Sequence, residues 1–162
     1  MSKLDRVSTV SGVLAAISLG SIGAIITAQI VARGFGHQIP ASDDFATWAM
    51  VVSIFLALPY AMLHGDHIRI TVLLQLLPPR ARRIYELQAT AISAAIAAWA
   101  TYYTGIFVYE SFTYGEVSQG MLKVPLWIPQ VAIPIGMALL TAVLVQRFVR
   151  CLRGDILEES NE

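Results

Sequence analysis

His64 and His67 are the two side chains best suited by type to hold a metal or a haem. Imidazole is a common metal ligand, and haem iron takes axial histidines. They stand three residues apart, with no third ligand nearby, and both adjoin a polar turn. A structural or interface role suits them better than ligation. The single cysteine, Cys151, cannot form an internal disulfide and belongs to no paired-Cys motif. No Gly-rich phosphate loop and no nucleophile motif occurs. The chain is therefore expected not to be an enzyme and to need no cofactor. A small haem-binding or assembly-type membrane anchor is the alternative reading, and it rests on His64 and His67.

The remaining charged residues cluster in short stretches. Arg33 and the pair Asp43 and Asp44 flank one loop, and opposite charges could meet across it. The aspartates also open a helix, where the dipole favours negative charge. Glu116 lies in a second polar turn with Gly115 and Gly120, which reads as flexible. Arg69, then Arg80, Arg82 and Arg83, surround the double proline Pro78-Pro79.

The elements that position these groups follow from composition. Of 162 residues, 56% are hydrophobic and 14% charged, against roughly 45–50% and about 25% in soluble domains. One core of this size could not hide so much apolar surface. Four windows carry no Asp, Glu, Lys, Arg or His: Val7 to Ala32, Phe45 to Leu63, Leu87 to Tyr109 and Val124 to Gln146. Each is near the about 20 residues a bilayer requires. Backbone groups in lipid must be satisfied within their own segment, so all four read as helices. The expected fold is one all-α membrane domain over 1–162. Its four transmembrane helices run over about 9–32, 45–63, 87–109 and 126–147. The first window is longer than the apolar stretch of a signal peptide, so it reads as a span rather than a cleaved leader.

Basic residues set the expected orientation, with both termini in the cytoplasm. The inner side then holds Lys3, Arg6, Arg69, Arg80, Arg82, Arg83, Arg147, Arg150 and Arg153. The outer side holds Arg33 and Lys123. Trp48 and Trp127 sit at outer span ends, and Tyr102, Tyr103, Phe107, Tyr109, Phe112 and Tyr114 crowd the outer part of span three. Amphipathic rings prefer that depth. In the inner loop, residues 67–77 form an apolar run too short to span. With its basic flanks it reads as a short interfacial helix against membrane lipid. Pro134 and Pro59 should each free a carbonyl or kink their helix.

Span one carries Ser8, Gly12, Ala16, Gly20, Ala24 and Ala28 at every fourth position, a stripe that lets a second helix approach closely. The span interiors lack the ionisable groups that pumps and proton relays place at membrane depth. The chain thus reads as a packing partner rather than a transport pathway of its own. A net charge of zero gives no reason to expect a nucleic acid.

Three stretches carry a family resemblance that runs from about Leu14 to Arg153. Arg33-Gly34-Phe35-Gly36 is followed by Asp43-Asp44 and Trp48. Gly65-Asp66-His67-Ile68-Arg69 leads to Leu77-Pro78-Pro79-Arg80-Ala81-Arg82-Arg83. Gly115-Glu116-Val117-Ser118 precedes Val124-Pro125-Leu126-Trp127-Ile128-Pro129 and Pro134-Ile135-Gly136. The chain resembles the small membrane subunit, DctQ type, of tripartite ATP-independent periplasmic (TRAP) transporters. It departs where the family often has a basic residue before its His–Ile pair, since Asp66 stands here, and where it often has an Asp, since Thr71 stands here. The resemblance implies a scaffold in a bacterial inner membrane. Its implied partners are a large permease (DctM type) and a periplasmic substrate-binding protein (DctP type), for sodium-driven uptake of an organic acid. Arg33, Asp43, Asp44, Glu116 and Trp127 would shape the outer surface. His67, Arg69, Arg80, Arg82 and Arg83 would anchor the inner loop.

Overall fold

A computed structural model describes residues 3–64 and 78–153. Five helices account for most of them: α1 (Lys3–Gly34), α2 (Ser42–His64), α3 (Pro79–Thr113), α4 (Trp127–Gln130) and α5 (Ala132–Arg153). Four helical stretches are long and apolar enough to cross a membrane, with α4 and α5 together forming the fourth. No strand occurs among the described residues, which hold a single isolated β-bridge, Val117 to Pro125.

The helices stand in an open row rather than a closed bundle. α1 packs on α2, α2 on α5, and α5 on α3, while α1 and α5 barely meet. A row gives each outer helix one neighbour only. Between 6% and 17% of each apolar window is buried. In water that would expose far more contiguous apolar surface than a soluble monomer carries. Hydrocarbon or a partner must cover the rest.

The helix ends explain why the row turns where it does. At α1, the amide of His37 donates to the Ala32 carbonyl (2.9 Å) and that of Gly36 to Arg33 (3.0 Å). At α3, Glu116 donates to Ser111 (3.1 Å) and Gly115 to Phe112 (3.3 Å). Both patterns are Schellman caps, which satisfy the last carbonyls by turning one residue left-handed. Gly36 (φ 75°) and Gly115 (φ 64°) supply those residues without the steric cost of a Cβ. The two caps lie at the same end of the row.

The prolines act differently from each other. The fourth span is interrupted at Val131, one turn before Pro134, so α4 and α5 are separate segments. α2 instead runs unbroken through Pro59, which is fully buried. Pro59 has no N–H to offer the Phe55 carbonyl. That same carbonyl oxygen is the atom a Cβ on Gly136 would strike. α5 therefore packs closely on α2 at a carbonyl from which the proline withholds its N–H.

Hydroxyls add the few polar ties. Ser18 Oγ donates to the Ala49 carbonyl (2.8 Å), joining α1 to α2. Thr101 Oγ1 and Thr141 Oγ1 lie 3.1 Å apart across the α3–α5 contact, each also within reach of its own helix backbone. Interhelical hydroxyl bonds in membranes are worth about 0.6 kcal/mol on average. The Thr101→Val and Thr141→Val double-mutant cycle should therefore give a coupling of about 0.5–1 kcal/mol in an unfolding titration. A coupling of zero would mean each threonine serves only its own helix.

The 67–77 segment, with His67 and Arg69, lies outside the described residues. α3 begins at Pro79, earlier than the expected span start, so Arg80, Arg82 and Arg83 belong to its first turns. Pro79 at the first helical position costs nothing, because that N–H would have no intrahelical partner.

Candidate functional site

The five residues expected to shape one surface come together at the capped end of the row. α1 delivers Arg33 from its last turn, and α2 delivers Asp43 and Asp44 from its first. Arg33 and Asp43 do not pair directly; Gln29 links them. Its amide nitrogen donates to Asp43 Oδ1 (3.2 Å) and lies equally close to Ser42 Oγ, while its oxygen accepts from Arg33 Nη2 (3.1 Å). Ser42 is 3% exposed, and its hydroxyl donates to the Ile39 carbonyl (3.1 Å). Ala41, just before it, holds a left-handed φ of 59°, a conformation that costs a non-glycine residue free energy. The turn is thus pinned on both sides of Pro40-Ala41.

The second turn folds onto the first. A Cβ on Gly120 would run into the Asp44 carboxylate, so the Gly120 backbone lies directly against that side chain. The Ser118 amide donates to the Val124 carbonyl (2.8 Å), the Leu126 amide to Glu116 (3.0 Å), and the Gly120 amide to Ser118 Oγ (3.2 Å). Ser111, 1% exposed, donates its hydroxyl to Glu116 Oε2 (2.7 Å). Trp127 meets Phe112 edge-on, with centroids 5.6 Å apart. A turn read from sequence as flexible is therefore closely tied. Its glycines serve a cap and a close approach.

Sequence reasoning named the charges but missed Gln29 and Ser42, which organise them. The signal was present: Gln29 and Arg33 are four apart on one helix and so neighbours on its surface. Gln29→Leu keeps the length and removes both polar ends. It should lower stability in detergent by about 1 kcal/mol, at the modest end because both charged partners are exposed. A variant that melts above the wild type would show that the amide contributes less than its cost in lipid.

The small-residue stripe is only partly a contact to α2. Ser8 is 2% exposed, and a Cβ on Gly12 would lie 2.6 Å from the Tyr60 ring. Ala16, Gly20 and Ala24 are exposed, and no heavy atom lies within 4 Å of a Cβ placed on Gly20. The reason is helical geometry. At 3.6 residues per turn, a step of four gains about 40°, so six rungs wind about 200° around α1. Ser8 and Gly12 lie on the α2 side, Ala16, Gly20 and Ala24 face away, and Ala28 has wound round to the other flank of the α1–α2 contact.

His64 stacks on Tyr60 (centroids 4.2 Å), with Nδ1 3.1 Å from the Tyr60 carbonyl oxygen. Tyr103 packs against both Trp99 and Tyr102 along the exposed side of α3. Tyr103 lies ten residues, roughly 15 Å, from the end of α3, deeper than an interfacial belt.

The family model for the DctQ component of tripartite ATP-independent periplasmic transporters matches residues 22–154 of the chain. No curated protein matches it closely enough to be compared. The matched stretch takes in both capped turns and all five residues of this end.

Proposed function

The chain belongs to the DctQ family of tripartite ATP-independent periplasmic transporter components, and from that premise we propose that it is the immobile scaffold of a sodium-driven organic-acid importer. It braces a large permease of the DctM type within a bacterial inner membrane. It also offers part of the outer surface on which a DctP-type periplasmic binding protein docks. The family match over residues 22–154 is the observation that carries this reading. The open row of helices, with little of its apolar surface buried, supports it, since such a row leaves broad faces for a larger neighbour.

Orientation follows the positive-inside trend, with both termini and the arginines at the start of α3 in the cytoplasm. Arg33, Asp43, Asp44, Glu116 and Trp127 then face the periplasm, where a soluble protein can reach them. The small residues of α1 that face away from α2 are the proposed seat for a permease helix. His67, Arg69, Arg80, Arg82 and Arg83 hold the inner loop against anionic headgroups.

Affinity purification of this chain from membranes in mild detergent should recover a large multi-span protein. Deleting the chain should abolish uptake of the cognate organic acid, with sodium dependence in the intact system. Recovery of the chain alone, together with unchanged uptake in the deletion strain, would refute the scaffold role.

A further inference from the structure

A groove of about 660 Å³ opens between α1 and the entry to α4, with α2 as its floor. Ile25 and Ala28 form one wall, Ile128 the other, and Trp48, Ala49 and Val52 the base. Its lining is almost wholly apolar, and Ser42 lies at its mouth. From Ser42 to Val52 the floor runs ten residues, roughly 15 Å along a helix. That is half of a hydrocarbon core about 30 Å thick. Near this depth the helices draw together. Ser18 ties α1 to the Ala49 carbonyl, and Gly136 brings α5 onto the Phe55 backbone.

These dimensions choose the occupant. A transmembrane helix crosses the whole core and would not fit a groove that ends halfway. An acyl chain reaches from the headgroup to the midplane and no further. Four charged residues stand at this end of the row. Arg33 ends α1, and Lys123 immediately precedes Val124, which lines the opposite wall. They are the only Lys or Arg residues in the stretches 33–44 and 114–126. Asp43 and Asp44 stand at the same end and disfavour a purely anionic headgroup. Together the four charges suit a phosphate that carries an ammonium.

We propose that this groove binds one zwitterionic phospholipid with a primary ammonium, from the leaflet on the side of the α1–α2 turn, its phosphate set between Arg33 and Lys123. The inference depends on the spans and not on the transporter reading, so either can fail alone.

Native mass spectrometry on the full chain, stripped by detergent exchange and reloaded with phosphatidylethanolamine or phosphatidylglycerol, tests it. One phosphatidylethanolamine should be retained per chain, in preference to phosphatidylglycerol. Ala28→Phe, which fills the groove, should remove it. Lys123→Gln, at an exposed site that folding does not need, should weaken retention roughly tenfold, the scale of one charge-assisted contact. Ile96→Phe, on the exposed side of α3, should change nothing. Equal retention of both lipids, equal losses in all three variants, or no loss with Lys123→Gln would overturn the proposal. So would a photo-crosslinker at Ala28 that captures a protein helix in cells instead of lipid.

Discussion

Gly136→Leu is expected to be the most destabilising single substitution in the described part of the chain. The reason begins in α2. Pro59 cannot donate to Phe55, so one carbonyl in a lipid-embedded helix has lost its usual partner. Gly136 is packed against that oxygen, and the hydrogen on its Cα points where a side chain would otherwise be. A Cα–H···O contact of this kind is worth about 0.5–1 kcal/mol. Any Cβ would meet the Phe55 carbonyl oxygen and carbon, which are backbone and cannot swing aside. Alanine alone should cost about 1–3 kcal/mol, and leucine more. The α2–α5 contact is also what joins the α1–α2 pair to the α3–α5 pair. Prying it open therefore separates the row into halves. A denaturing-detergent titration of purified protein should show the loss, with Gly20→Ala as an unaffected control. Pro59→Ala should give a smaller effect, because it returns the Phe55 carbonyl to its own helix while leaving space for Gly136. A Gly136→Leu protein that unfolds like the wild type would place the junction elsewhere.

That pairing shows where sequence reading stops. The four spans were legible because hydrocarbon imposes a length and a composition that any segment must satisfy alone. Helix ends were partly legible: Gly36 and Gly115 sit where left-handed caps are needed. The partnership of Pro59 with Gly136 was not, since it links residues far apart in sequence through a backbone atom that every residue possesses. The same holds for Gln29. Its spacing of four from Arg33 was readable, but its neighbours across the turn, Ser42 and Asp43, were not. Charge bias announced Arg33, Asp43 and Asp44, but not that they would be joined through an amide rather than to each other. The stripe on α1 looked like one face because a spacing of four is close to a helical turn. Over six rungs the mismatch of about 40° per step accumulates, and the middle rungs turn away from α2.

The middle rungs supply the second large effect. Gly20→Leu should leave the isolated chain as stable as the wild type and yet sharply reduce recovery of the proposed permease partner. Nothing within the chain approaches a Cβ at position 20, so leucine there meets no clash, and lipid receives it well. Ala16, Gly23 and Ala24 extend the same small, exposed surface. In hydrocarbon no hydrophobic gain draws helices together, so association relies on close packing of backbones, and small residues permit it. Wedging a leucine into such a seat costs about 1–3 kcal/mol, or roughly 5–150-fold in affinity. Two measurements on one variant separate the possibilities: the unfolding midpoint of the purified chain, and the yield of co-purified partner. A fall in both would mean that α1 is strained from within, as with Gly136→Leu. A fall in neither would mean that this side of α1 faces lipid, and the permease must then be held by another face of the row, with the exposed aromatic side of α3 the next to examine.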